Sequence, residues 1–370
     1  MKINALKVSE EFRKVAIRAV LSILLFLFTY IVMIILALAL IVLCGYIAFV
    51  LVAFKAMFLT IMIGLGLIGM GFLILFFLTK FIFSSGKQID RSHLTEITAA
   101  QQPKLFQLLG EIVDEVHTSA PKKVYLSSEV NASVFYDSTF WSMFFPVRKN
   151  LQIGVGLMNA VSVIELKAIL AHEFGHFSQR SMKAGSYVYN VNKVIFNMLY
   201  DNEGYDVVLT KWSNSSSYFA AFSAAAIFVV KGVQRVLMRV YKVVNLNYMA
   251  LSREMEFHAD AVAAHVAGSE ALANSLLRLD LASKSLSSVF DYYDAKIATS
   301  QKTNNFFPQQ SFVLHHISTS ENLTIRDGLP MLTIDEFKKF NRTKLVLSEQ
   351  WSSHPSTEER VTRVLALDEK

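Results

Sequence analysis

Hydrophobic positions along this chain follow three different patterns. From Ala19 to Phe54 no residue is charged, and after Lys55 the stretch from Ala56 to Thr79 is again free of charge. The first run, 36 residues as one helix, would extend roughly 54 Å against a hydrocarbon core of ~30 Å, so it must project past a bilayer, tilt strongly or turn back. The pattern predicts a hairpin of two spans with its turn between Cys44 and Lys55. Beyond it the chain becomes amphipathic. Leu105, Leu108, Leu109, Ile112, Val113 and Val116 recur at helical spacing within residues 92–120, with Pro103 near the start. Residues 123–126, 132–136 and 151–157 read as short strands of a small sheet packed on a later helix, and its free edge is a place for an extended peptide to add as a strand. The third pattern is mixed: Tyr218 to Val230 is apolar, and Lys231, Arg235 and Arg239 follow at intervals of four. A short span, an interfacial helix and a buried soluble helix all fit it, with membrane contact favoured.

Composition agrees with a membrane portion, since 53% of the residues are hydrophobic and only 18% charged. The first apolar run is too long for a cleavable signal peptide and is followed by no small-x-small site. Gly64, Gly66 and Gly69 match a dinucleotide-binding spacing, but no strand precedes them, and glycines in an apolar span serve close helix packing. The single cysteine, Cys44, excludes a disulfide framework and a thiolate-rich zinc site. A net charge of +6 without a basic patch interleaved with aromatics argues against nucleic-acid binding. Lys2, Lys7, Arg13, Lys14 and Arg18 precede the first span and Lys80, Lys87 and Arg91 follow the second. With two spans, both ends and the large domain between them and the C-terminus would be cytoplasmic.

The candidate chemistry centres on His172-Glu173-Phe174-Gly175-His176. Two histidines four apart on a helix share one face and can present two imidazoles to one metal, and a glutamate between them can take a proton from a water in the metal's open position. Ser162 and Glu165 form a capping box at the start of this helix. A catalytic zinc takes three protein ligands, so a third must come from elsewhere. Glu256 and Asp260, four apart on a second predicted helix, are candidates for third ligand and for a carboxylate orienting a histidine ligand. Glu254, His258 and His265 are rivals that spacing alone does not eliminate.

Taken together, His172 to His176, Ser252 to Asp260 with its Ala259-Asp260 pair, and Ser353-His354-Pro355 with Glu359-Arg360 behind it resemble the integral-membrane zinc metallopeptidase family of HtpX and the CAAX prenyl endopeptidases. That resemblance covers roughly residues 92–280 and 350–367. It implies His172, His176 and Glu256 as ligands of one Zn²⁺, Glu173 as the catalytic base and acid, and Asp260 in the shell behind the ligands. It further implies Asn131-Ala132-Ser133 as the start of a substrate-binding edge strand, and His354 as a group that stabilises the oxyanion. The fold expected is mainly α with a small β-sheet: an α+β zincin-like metallopeptidase domain attached to an N-terminal transmembrane helical hairpin. Residues 1–18 form a basic cytoplasmic head and 19–83 the hairpin. The metallopeptidase domain covers 84–284 with a membrane-associated insertion around 185–250, and 285–370 is a helical extension. Within that extension Asp291, Tyr292, Tyr293, His315 and His316 have no assignment, and the adjacent histidines read as surface residues.

The function implied is a membrane-bound zinc endopeptidase acting on peptide or membrane-protein substrates in the bilayer, with quality control at a bacterial inner membrane preferred. Maturation of a defined, possibly lipidated, substrate is the alternative. A non-catalytic membrane scaffold is the reading from another class, disfavoured by the complete ligand set. Substrate and oligomeric state are not legible.

Overall fold

The computed structural model describes residues 9–80, 90–135, 149–178, 202–340 and 354–369, with seven helical positions between 188 and 200. Lys2, Lys7, Lys87 and Tyr136 lie outside the described residues. The described residues are mostly helical with two small sheets.

The first apolar run does not fold back. It is one helix, α1 (Glu10–Phe54), of 45 residues, so roughly 67 Å long at 1.5 Å per residue. Ser9 caps it by accepting from the Phe12 N–H at 3.0 Å, and Glu10 and Glu11 face the positive end of its dipole. The turn comes at Lys55 to Met57, the far limit of the predicted range, where the Thr60 hydroxyl donates to the Lys55 carbonyl at 2.7 Å. The hairpin closes with α2 (Phe58–Thr79). α1 and α2 pack through small residues: an added Cβ at Gly64 would lie 3.1 Å from the Ala48 Cβ.

A strand absent from the sequence expectation, β1 (Thr95–Ile97), precedes α3 (Pro103–Val116). Then come β2 (Val124–Ser127), β3 (Ala132–Phe135) and β4 (Asn150–Gly154), the last passing at once into a short helix, α4 (Val155–Met158), where the sequence suggested continued strand. The sheet order is β1-β2-β4-β3, with the β2–β4 pair parallel and the other two antiparallel, so β3 is an edge of this sheet. The Gly154 N–H donates to the Asn131 carbonyl at 2.8 Å. Alternation along the strand then turns the backbone groups of Ala132 and Val134 away from β4.

The site helix is α5 (Val163–Ser178). After it, α6 (Glu203–Ser215) leads at Ser216 into α7 (Ser217–Ala267), a helix of 51 residues that absorbs both the apolar run and the second motif. Among the described residues three helices, α1, α2 and α7, are long and apolar enough to cross a membrane. The upper half of α7 packs with α1 and α2 through Ala226, Val230 and Leu237, and its last turns enter a second core with Val262, Ala263 and Ala264. An insertion ending near residue 250 therefore has no structural boundary there.

The next helix, α8 (Ser269–Lys296), runs unbroken through position 284, because Ser285, Leu286 and Val289 continue its buried face. The C-terminal extension is not wholly helical: α9 (Phe307–Ser320) is followed by a hairpin of β5 (Thr324–Arg326) and β6 (Leu329–Met331). Asp327 and Gly328, both at positive φ (51° and 78°), make the two-residue turn such a hairpin favours. α10 (Ile334–Phe340) and α11 (Thr357–Leu365) complete the described chain.

Candidate active site

The start of α5 is fixed twice. The Ser162 N–H donates to Glu165 Oε2 at 2.7 Å and the Glu165 N–H donates to Ser162 Oγ at 3.3 Å, the reciprocal capping box read from the sequence. The same Glu165 oxygen also accepts from Arg278 Nη1 at 2.6 Å, and Arg278 Nε donates to the Pro330 carbonyl at 2.7 Å. Both charged side chains are buried. One guanidinium from α8 thus ties the start of the site helix to the β5–β6 hairpin.

Two turns later α5 presents His172 and His176. Their rings are nearly perpendicular with centroids 4.8 Å apart, and their Nε2 atoms are 3.2 Å apart. Glu256 on α7 approaches from the other side, with Oε2 3.5 Å from His172 Nε2 and Oε1 3.5 Å from His176 Nε2. Ligand bonds of 2.0–2.2 Å in a tetrahedron place donor atoms roughly 3.3–3.6 Å apart, so this donor set fits a single zinc ion. Gly175 makes the meeting of helices possible. A Cβ there would stand 3.2 Å from the Ala259 Cα and 3.3 Å from the Val262 Cβ, so α7 comes close only because the residue between the histidines has no side chain.

Behind these donors is a chain of carboxylate and guanidinium. His172 Nδ1 lies 2.9 Å from Asp260 Oδ1, which leaves Nε2 turned to the cluster. Arg360 of α11 grips Asp260 with Nε at 2.9 Å and Nη2 at 2.6 Å, and its Nη1 is 3.7 Å from Glu256. The sequence motif contained Arg360 without assigning it work; its partner lies 100 positions away. His354 Nδ1 is 3.1 Å from Glu256 Oε1, at the rim of the cluster.

The electrostatics differ between neighbouring groups. Burial disfavours a charged His172, but hydrogen bonds to Asp260 and Glu256 outweigh it and raise the imidazole to about 9. Burial and the nearby His172 hold His176 down to about 3, so it is neutral. Burial pushes the Glu173 carboxyl up to about 7, although it accepts a hydrogen bond from the Val134 backbone. Hydrogen bonding to Glu256 raises His354. The Glu173 carboxyl, raised by burial, faces the outward backbone of β3.

A cavity of about 400 Å³ joins these parts, lined by Asn131, Ala132 and Ser133 on one side and by the histidines, Glu173, Glu256, His354 and Arg360 on another. All the sequence candidates except Asp260, which stands behind His172, line it. The rivals do not. Glu254 accepts from Ser9 Oγ at 3.4 Å, His258 packs near the Phe12 ring at 6.4 Å, and His265 Nδ1 is 3.4 Å from Glu369. His315 and His316 are exposed on α9. Among the described residues, His172, His176 and Glu256 form the grouping of donors close enough to share a metal ion.

Comparison with known proteins points the same way. The model of Peptidase family M48 matches residues 99–368. A Protease HtpX homolog of Sulfurihydrogenibium sp. (strain YO3AOP1) is 24% identical over 204 residues, 54% of this chain and 64% of its own length. Protease HtpX of Pseudomonas entomophila (strain L48) is 27% identical over 214 residues, 56% of this chain and 66% of its own length. Protease HtpX of Legionella pneumophila (strain Corby) is 24% identical over 269 residues, 71% and 76% of the two chains. The match thus spans slightly less than two thirds of the first two relatives. No solved structure matches.

Proposed function

Because the chain belongs to peptidase family M48, we propose that it is a membrane-bound zinc endopeptidase that cuts peptide bonds in membrane-associated proteins as part of quality control. The observation that carries this reading is the convergence of His172, His176 and Glu256 beside a buried Glu173.

His172, His176 and Glu256 would hold the zinc, and Asp260, clamped by Arg360, keeps the His172 ring turned so that Nε2 faces it. Zinc in such a site polarises a carbonyl and lowers the pKa of water toward ~7. Glu173 would take the proton of the attacking water and pass it to the leaving amine, a transfer its place between the two histidine ligands allows. The outward edge of β3 supplies backbone groups to an extended substrate at Ala132 and through the Val134 carbonyl, the Val134 N–H being held by Glu173, and Asn131 would stand beside the scissile bond. His354, made more basic by Glu256, donates to the carbonyl oxygen as it gains negative charge.

The antiparallel course of α1 and α7 supports a reading of sidedness. Ser9 and Phe12 at the start of α1 meet Glu254 and His258 near the site, whereas Phe58 just past the hairpin turn meets Tyr218 at the start of α7. Arg13, Lys14 and Arg18 of α1 lie toward the same end of the bundle as the site, which by the positive-inside rule supports a catalytic domain on the cytoplasmic side of a bacterial inner membrane.

Replacing Glu173 by Gln tests the mechanism. The variant should retain about one zinc per chain while cleavage of an unstructured protein substrate falls by ~10²–10⁴-fold. Undiminished cleavage by that variant removes Glu173 from the chemistry.

A further inference from the structure

The helix α1 is longer than the membrane it has to cross. Its Tyr30 hydroxyl donates to the Leu78 carbonyl at 2.6 Å, so Tyr30 stands level with the end of α2, where Lys80 closes the charge-free run. A bilayer lying square to the bundle would end there. Yet the outer face of α1 stays apolar for three more turns toward the site. Ile17, Leu21, Leu24 and Phe28, at spacings of four, three and four, are 61%, 58%, 54% and 67% exposed, opposite the core positions Ala19, Ile23, Phe26 and Tyr30. From Tyr30 to Ile17 this stripe covers roughly 20 Å at 1.5 Å per residue. A row of large apolar side chains of that length is not left to water without a use.

Two observations identify what covers it. The stripe continues without a break into Ile31, Ile35 and Val42, which face the acyl chains in the span itself. It also ends in exposed cations, Arg13, Lys14 and Arg18, and a second cationic row, Lys231, Arg235, Arg239 and Lys242, runs down the outside of α7. Among the described residues none of these seven makes an ion pair, and α7 carries no acidic residue before Glu254. The α7 row turns away from that helix's own core positions Val230, Leu237 and Val244. The apolar surface thus reaches lower on the α1 side than on the α7 side, which describes a membrane boundary oblique to the bundle. Cation stems reach back toward headgroups by several Å, so a tilt toward the upper end of the roughly 0–40° found for membrane helices accommodates it.

We propose that the half of the bundle nearest the site is itself a lipid-binding surface. The α1 face from Ile17 to Phe28 lies in the acyl chains, and Arg13, Lys14 and Arg18 pair with the phosphates of anionic phospholipids. The proposal rests on the membrane placement of α1, α2 and α7 given above and is independent of catalysis. It sets the depth of the site. Phe12 meets the His258 ring, two residues from Glu256, with centroids 6.4 Å apart. That level is about 8 Å from Ile17 but about 27 Å from Tyr30. An extended chain needs about eight residues to cover the longer distance and two or three for the shorter. The seating therefore brings peptide bonds close to the end of a membrane span within reach.

The test uses the full-length, zinc-loaded protein with Cys44→Ala, in nanodiscs rich in phosphatidylglycerol. Leu21→Cys, Leu24→Cys, Val42→Cys and Phe312→Cys each carry a spin label, and zinc content equal to the wild type shows that each is folded. Power saturation then reads access to oxygen, which concentrates in acyl chains, and to a nickel chelate, which stays in water. Labels at Leu21 and Leu24 should be oxygen-accessible and nickel-shielded like the one at Val42 in the span, and unlike the one at Phe312, which is exposed on α9. Replacing Arg13, Lys14 and Arg18 together by Gln should shift the balance between seated and water-exposed forms roughly fivefold per cation, with loss of shielding at Leu21. Nickel access at Leu21 and Leu24 equal to that at Phe312 overturns the proposal. So does shielding from both reagents with spin–spin broadening that disappears on dilution with unlabelled protein, which assigns the face to a second copy of the chain. Shielding that is the same in the triple variant, and in nanodiscs of phosphatidylcholine alone, overturns the pairing with anionic headgroups. A Val42 label open to nickel overturns the membrane placement along with the proposal.

Discussion

The bundle of α1, α2 and the first half of α7 and the domain around α5 differ in what they expose and in the charges they hold inside. In the bundle Ala19, Ala37, Ala48 and Ala226 face inward beside Phe26, Leu73 and Phe77, while Phe28, Val42, Phe49 and Phe228 are 67%, 72%, 71% and 75% exposed. In the domain Leu157, Leu170 and Phe174 are inside, and the buried charges come in pairs, Glu165 with Arg278 and Asp260 with Arg360. Where the surroundings are lipid, a large apolar side chain gains little by turning inward, so many stay outside, and small residues let the helices approach closely. Where they are water, apolar burial dominates and each buried charge needs a partner. One helix, α7, obeys both rules, with Ala226 in the first region and Glu256 in the second.

If that contrast holds, breaking a charge pair in the domain should cost most. Arg278→Leu leaves Glu165 buried without its cation and should destabilise the domain by about 3–5 kcal/mol, measured by chemical denaturation followed through tryptophan fluorescence. Arg278→Leu combined with Glu165→Gln should recover part of that loss. Asp260→Asn keeps the shape but removes the carboxylate behind His172, and zinc affinity should fall about 10–100-fold in competition with a chelator. The smallest effect belongs to the bundle. Gly66→Ala places a Cβ 2.2 Å from the movable Phe222 ring and should lower thermal stability in detergent by an amount at the low end of ~1–3 kcal/mol. Its zinc content should not change, and a loss of zinc there would dissolve the separation between the two regions.

Local patterns were readable in the sequence and distant pairings were not. His172, Glu173 and His176 lie within one turn of a helix whose capping box is also local, so the motif and its helix could be placed together. Glu254, Glu256 and His258 cannot be ranked by spacing, because the choice is made by α1, which occupies the face carrying Glu254 and His258. Arg278 gave no signal, its partner Glu165 being 113 positions away. β1 has three residues, too few to show a period, and exists because Thr95 to Ile97 pair with Val124 to Leu126. The length of α7 was hidden because Lys231, Arg235 and Arg239 end the apolar run without ending the helix.

The central claim is that two rings from α5 and a carboxylate from α7 hold one ion. Zinc per chain, measured by plasma mass spectrometry on the purified wild type, Glu173→Gln and Glu256→Ala after dialysis against a weak chelator, tests it directly. The account predicts about one ion in the first two and close to none in the third; equal zinc in all three, or none in the wild type, would contradict it.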